Sequence, residues 1–332
     1  MASSLAHWTA VTSADHAEHS PAERSPADER RPQSSTVPTP VVSGEEHRYV
    51  LTLGCPDTVG IVARISGFLQ DVGGWITEAA YHSDPDSGWF FTRQAVRADS
   101  VAVSLDELRA RFAAEVADSL GEGTQWALTD SAAPKRVVLL VSKESHCLGD
   151  LLARAYRKEL PAEIVGVVSN HRDLEDLTAR FGVPFRHVPF EPGADKAPSF
   201  AMLREVVDGF APDVVVLARF MQILPDELCR HWGERVINIH HSFLPSFIGA
   251  RPYHQAYKRG VKLIGATCHY VTADLDAGPI IEQDVTRIDH GDSVADMVRQ
   301  GRDIETLVLA RGLRWHLEDR VLVYGSRTVV FN

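Results

Sequence analysis

Three polar residues, Asn238, His240 and Asp276, have types that could act together on a small carbonyl group. An amide, an imidazole and a carboxylate are a sufficient set for acyl transfer of a formyl group. Attack on a formamide creates an oxyanion, to which the Asn238 side chain can donate a hydrogen bond. His240 can donate to the same oxygen when protonated, or move a proton near neutral pH. Asp276 can stabilise the imidazolium or accept a proton from an attacking water, and residue type alone leaves both roles open. Asn238 and His240 lie two apart in the strand-like run RVINIH, so their side chains are expected on one face, just before the loop SFLPSF. A second run, KLIGATCHYVT, leads into the loop ADLDAGP, which delivers Asp276. Taken singly, such an Asn is a backbone cap and such an Asp a turn former. The joint pattern is what carries information.

Other chemistries fit less well. His240, His241 and His269 lie near one another in sequence, but adjacent strand residues point to opposite faces, so His240 and His241 are not expected to share an ion. No HExxH motif is present, and Cys55, Cys147, Cys229 and Cys268 form no CxxC pair, so the expectation is free thiols and no metal. His269 reads as a hydrogen-bonded interior residue. Ser242 has no GxSxG elbow around it, which argues against a serine hydrolase.

The elements that must position these residues fall into two styles. Residues 1–46 are rich in Ala, Ser, Pro and Glu, with His7, His16 and His19 scattered among them, and read as a disordered tail. From 47 to 130 the pattern predicts βαββαβ, a ferredoxin-like sandwich: RYVLTLGC, a helix over VGIVARISGFLQDVG capped by Asp57 or Thr58, WITEAAYHS, GWFFTRQAVRA, a helix from Ser104 to Leu120, and TQWALTD. Residues 131–135 form a linker. From 136 to 332, continuous Val/Leu/Ile runs alternate with helical segments, which predicts a doubly wound, mostly parallel α/β sheet. Ligands on such sheets sit beyond the carboxyl ends of strands, where RVINIH ends.

Composition sets limits. Lys+Arg number 34 against 45 Asp+Glu, and a net charge of −11 argues against a general nucleic-acid or anionic-membrane binder. No apolar run is long enough to span a membrane and no signal peptide is evident, so a cytoplasmic protein is expected.

With these residues in view, the chain resembles the formyltransferase family that uses 10-formyltetrahydrofolate. The resemblance is carried by Asn238-Ile-His240, the loop Ser242-Phe-Leu-Pro245, and Asp276 in DLDAGPII. It implies that Asn238, His240 and Asp276 are catalytic. LARFMQIL resembles the family's pterin-binding turn, which implies that Met221, Gln222, Ile223 and Leu224 bind substrate, with the loop from Val271 on its other side. Members that formylate a phosphorylated amine carry a glycine-rich loop after the first strand, where this chain has the bulky and acidic LLVSKESHCLGDLL. VSKESHCLGDLL and HHSFLPSFIGARPYHQAY resemble the formyltetrahydrofolate deformylases, and CPDTVGIVARIS resembles an ACT domain. This resemblance implies hydrolysis of 10-formyltetrahydrofolate as a substrate with no permanently bound cofactor, formate supply to purine synthesis, and balancing of one-carbon folates. It further implies an amino-acid effector near Asp57 and Gly60 and a homo-oligomer. Formyl transfer to an amine is the alternative activity, and a catalytically inactive regulatory protein is a third reading.

Overall fold

The computed structural model describes residues 47–245 and 252–332; the expected tail, with its three histidines, and the end of the SFLPSF loop lie outside the described residues. The first six elements are β1 (Arg48–Pro56), α1 (Ile61–Asp71), β2 (Ile76–Asp84), β3 (Trp89–Arg97), α2 (Leu105–Glu115) and β4 (Gln125–Asp130). They follow the expected βαββαβ order, with the strands in an antiparallel sheet of order β2-β3-β1-β4. Ile61, Ile65, Phe68 and Leu69 recur at helical spacing along α1 and enter one core with Leu51, Leu53, Leu108 and Phe112.

Two local expectations are corrected. Neither Asp57 nor Thr58 caps α1: the N-cap is Gly60, at φ 94, a left-handed conformation that glycine adopts without steric cost, and no side chain bonds there. The Asp57 carboxylate instead accepts from the Ser83 hydroxyl. The second helix also ends earlier than Leu120. Ser104 caps it, with Oγ accepting from the Glu107 N–H at 3.3 Å, but the backbone leaves helical geometry at Val116 and continues as a short 3-10 turn.

The second sheet contains β5 (Lys135–Val141), β6 (Ala162–Ser169), β7 (Phe185–His187), β8 (Val214–Leu217), β9 (Val236–His240), β10 (Leu263–Tyr270) and β11 (Ile280–Arg287). Between them run α3 (His146–Tyr156), α4 (Glu175–Arg180), α5 (Ala197–Asp208), α6 (Asp226–Trp232) and α7 (Pro252–Arg259); α8 (Val294–Leu317) and the hairpin β12 (Val321–Tyr324) with β13 (Arg327–Val330) complete the chain. Strand order is β11-β10-β9-β8-β5-β6-β7. The five strands from β7 to β9 are parallel, whereas β10 and β11 pair antiparallel. Buried Val and Leu side chains on both faces of β5 and β8 explain the continuous apolar runs. From β5 the chain winds outward to β7, then crosses back to β8. This places a topological switch point between the carboxyl ends of β5 and β8, where such sheets bind ligands.

Helix α8, 24 residues long, starts at a capping box between Ser293 and Asp296 and buries Met297, Gly301, Ile304, Glu305 and Val308 against the sheet. Its far end meets the small sheet. There Arg93 donates from Nε to the Glu318 and Asp319 carbonyls at 3.2 and 3.1 Å, and Tyr324 packs on Trp89 with ring centroids 4.8 Å apart. All four cysteines are free and buried. Among the described residues no helix is long and apolar enough to cross a membrane.

Candidate active site

A cavity of about 600 Å³ opens at the switch point, lined by the segment after β8, the end of β9, and the loop between β10 and β11. The structure brings all eight residues expected at the catalytic and substrate sites to it: Asn238, His240, Asp276, Met221, Gln222, Ile223, Leu224 and Val271. Met221 and Ile223 expose apolar side chains and Leu224 is buried. Gln222 Oε1 is shielded from solvent without a hydrogen-bond partner among the described residues, which leaves an acceptor for a ligand. The Met221 N–H is already used, donating to Ser142 Oγ at 3.0 Å.

His240 ends β9 and is buried. Its Nδ1 lies 3.2 Å from Asp276 Oδ2, while Nε2 has no partner among the described residues. A hydrogen bond from His240 holds the Asp276 carboxyl below its usual range, against the opposing effect of burial. An ionised Asp276 fixes a proton on His240 Nδ1, so Nε2 is the atom that meets a ligand. Asp276 Oδ1 stands 3.8 Å from His269 Nε2, too far for a hydrogen bond, and stays available.

The loop that carries Asp276 is held by close backbone approach. Asp276 has φ 53, in the left-handed region that Asp and Asn tolerate best among non-glycine residues. Two residues on, a Cβ at Gly278 would stand 1.8 Å from the Tyr270 carbonyl oxygen, so only glycine fits.

His269 is interior and hydrogen-bonded, as expected, but it is also part of the site. It pairs directly with Asn238 across the antiparallel β9–β10 ladder. Its Nδ1 lies 2.8 Å from the Tyr270 carbonyl, which can only accept, so Nδ1 carries the proton. Burial lowers the pKa of His269, so the ring is neutral and Nε2 is a bare acceptor. Asn238 therefore presents Nδ2 to it at 3.1 Å, and the second N–H of that amide remains for a ligand.

One expectation at the site is corrected. His240 and His241 do not diverge: their ring centroids are 5.0 Å apart and both rings line the cavity. Strand alternation does not separate them, because β9 stops at His240. Burial first, then the Arg219 charge, lowers the His241 pKa to about 4, so its ring is neutral. Asp57 and Gly60 sit on the β1–α1 turn of the small sheet and do not line this cavity. Sequence reasoning missed His146, Arg219, Tyr253 and Glu305, which line the same cavity from α3, the β8 loop, α7 and α8. His146 and Glu305 also stand with Cys147 in a group whose possible ligand atoms lie within 4.8 Å of one another. His146 Nε2 is already bonded to Glu305 at 2.8 Å, and burial pushes the Cys147 thiol far above its usual pKa.

A doubly wound sheet presenting an amide, a paired imidazole and a carboxylate at its switch point has the features expected of formyl-group transfer. Residues 135–313 match the family model described as formyl transferase, which gives the class of the larger sheet. The chain is 46% identical over 286 residues to a formyltetrahydrofolate deformylase from Corynebacterium, covering 86% of this chain and 99% of that protein. It is 45% identical over 290 residues to another from Bacillus subtilis, covering 87% and 95%. The crystal structure of a formyltetrahydrofolate deformylase from Pseudomonas syringae pv. tomato superposes with a TM-score of 0.84 at 57% identity, covering 87% of this chain and 95% of that one. The chain belongs to the formyltetrahydrofolate deformylase family.

Proposed function

We propose that the chain hydrolyses 10-formyltetrahydrofolate to formate and tetrahydrofolate, the activity for which its relatives are named. The observation that carries the mechanism is the joining of Asn238, His240 and Asp276 on one cavity, with each side chain held by a partner and keeping one polar atom available. In this reading the pterin lies between the Met221–Leu224 segment and the loop from Val271 to Asp276, and the formyl group meets the three polar side chains.

Water adds to the formyl carbon and gives its proton to Asp276 Oδ1. The carbonyl electron pair becomes an oxyanion, which accepts from the second Asn238 N–H and from Nε2–H of the His240 imidazolium. Until it takes that proton, the Asp276 carboxylate stabilises the imidazolium through Oδ2. Collapse of the oxyanion breaks the carbon–nitrogen bond as the nitrogen takes the proton held on Asp276, and the product leaves as formate after giving its remaining proton to solvent.

The released formate feeds purine synthesis and the reaction balances one-carbon folates. The enzyme works in the cytoplasm as a homo-oligomer. Its small sheet binds an amino-acid effector at the β1–α1 turn, where Gly60 would allow close approach and Asp57 would offer a carboxylate. Formyl transfer to an amine is the competing activity. Purified protein with 10-formyltetrahydrofolate and no amine should release free formate at a steady rate. A strict need for added amine would overturn hydrolysis, and a rate unmoved by any amino acid would overturn the effector site.

A further inference from the structure

The catalytic reading leaves unused a second polar group on the same cavity. Glu305 on α8 is 1% exposed, yet its carboxylate accepts from His146 Nε2 at 2.8 Å and from the Tyr253 hydroxyl at 2.7 Å, with Arg219 Nε 3.4 Å away. Burial opposes ionisation, but the His146 bond, the Arg219 charge and the Tyr253 bond outweigh it and hold the carboxyl below its usual range. The helix makes room for this contact: a Cβ at Gly301 would stand 2.1 Å from the Tyr253 hydroxyl oxygen. An ionised Glu305 keeps a proton on His146 Nε2, which leaves Nδ1 as the ring atom that can meet a ligand. That atom is shielded from solvent and has no hydrogen-bond partner among the described residues; the nearest carboxylate oxygen, on Glu144, is 3.9 Å away.

The place matters as much as the geometry. His146 opens α3 just after β5, where α/β sheets offer a helix N-terminus to an anion. Here two carboxylates stand near that turn, and the two arginines beside them are already paired: Arg302 with Glu144 at 2.7 Å, and Arg219 facing Glu305. An anionic acceptor faces the Glu144 and Glu305 carboxylates there, whereas a small neutral molecule such as water meets an unpartnered ring nitrogen.

We propose that His146, oriented by Glu305 and Tyr253, is a positioning residue that holds water in this part of the cavity and so makes water, rather than an amine, the formyl acceptor. The proposal rests on the reading of the site as a formyl hydrolase. The held water hydrogen-bonds to His146 Nδ1. The oxygen forms the bond to the formyl carbon, one proton passes to Asp276, and the carbon–nitrogen bond breaks as described above.

The test compares the full-length wild type with His146→Ala and Tyr253→Phe, following formate and formohydroxamate from 10-formyltetrahydrofolate with hydroxylamine present. For His146→Ala, kcat for formate should fall by about 10–100-fold, KM should stay within about threefold, and the hydroxamate-to-formate ratio should rise at least about tenfold. Tyr253→Phe should move the ratio the same way by a smaller factor, and it tests the idea if His146→Ala does not fold. Wild-type kcat in folded His146→Ala, or an equal fall of both products at a constant ratio, would overturn it. Loss of wild-type turnover on chelation would also overturn it, by assigning His146, Cys147 and Glu305 to a metal. Failure of the hydrolase reading is distinct, because the wild type itself would then release no formate.

Discussion

Asn238 Nδ2 donates to His269 Nε2 at 3.1 Å across the β9–β10 ladder, and that contact decides which way the amide faces the cavity. Without it the amide can flip and offer its oxygen to the oxyanion, which repels. His269→Ala should therefore lower kcat by roughly 10–100-fold, comparable to loss of one oxyanion donor, while KM stays within about threefold. His269→Gln, which can supply an acceptor, should recover part of the loss. Equal kcat in wild type and His269→Ala would remove the orienting role.

Asp276→Asn is a conservative probe, because asparagine also tolerates the left-handed backbone found there at φ 53. The variant keeps the loop but loses the charge that stabilises the imidazolium and takes the proton from water. Folate binding by titration should stay within about threefold while formate release falls by about 100-fold or more. Turnover close to wild type would remove Asp276 from the mechanism.

Gly278→Ala tests how the loop is held. The new Cβ would meet the Tyr270 carbonyl at 1.8 Å, and backbone must move to relieve the clash. Both stability and activity should fall, by about 1–3 kcal/mol in denaturant melts and at least tenfold in kcat. A fully stable and active variant would show that the loop can hold Asp276 without this close approach.

His316 gives stability a pH dependence of known sign. Its Nδ1 lies 2.7 Å from the Tyr270 hydroxyl, and burial first, then the Lys135 charge, lowers its pKa from 6.5 to about 4. The unfolded chain takes up this proton near pH 6.5 and the folded protein only near 4. The contribution is therefore complete above 6.5 and is lost as pH falls toward 4. Between pH 7 and pH 5 this amounts to at most about 2 kcal/mol. Urea melts of His316→Gln should show a flatter pH dependence over that window; an unchanged slope would assign the proton uptake elsewhere.

Much of the fold is local information. Continuous apolar runs mark β5, β6 and β8 because strands buried on both faces need them, and the 3.6-residue spacing in α1 marks its buried face. Asn238 and His240 were legible as one face of one strand. The remaining features depend on pairing across the chain. His269 joins the site only through antiparallel pairing of β9 with β10, and His146 meets Glu305 across 159 residues. Composition cannot announce such contacts. Asp57 and Thr58 are good capping types and mark α1 too early, because the chain enters the helix two residues past Thr58, at Gly60. The His240–His241 approach was misread because alternation holds only inside a strand, and β9 ends at His240.

Mass spectrometry of formate made in oxygen-18 water addresses the source of the attacking oxygen. The purified chain, given 10-formyltetrahydrofolate and no amine, should release formate carrying one solvent-derived oxygen, and Asp276→Asn should make little of it. Formate without the label, or none at all until an amine is added, would contradict direct attack by water.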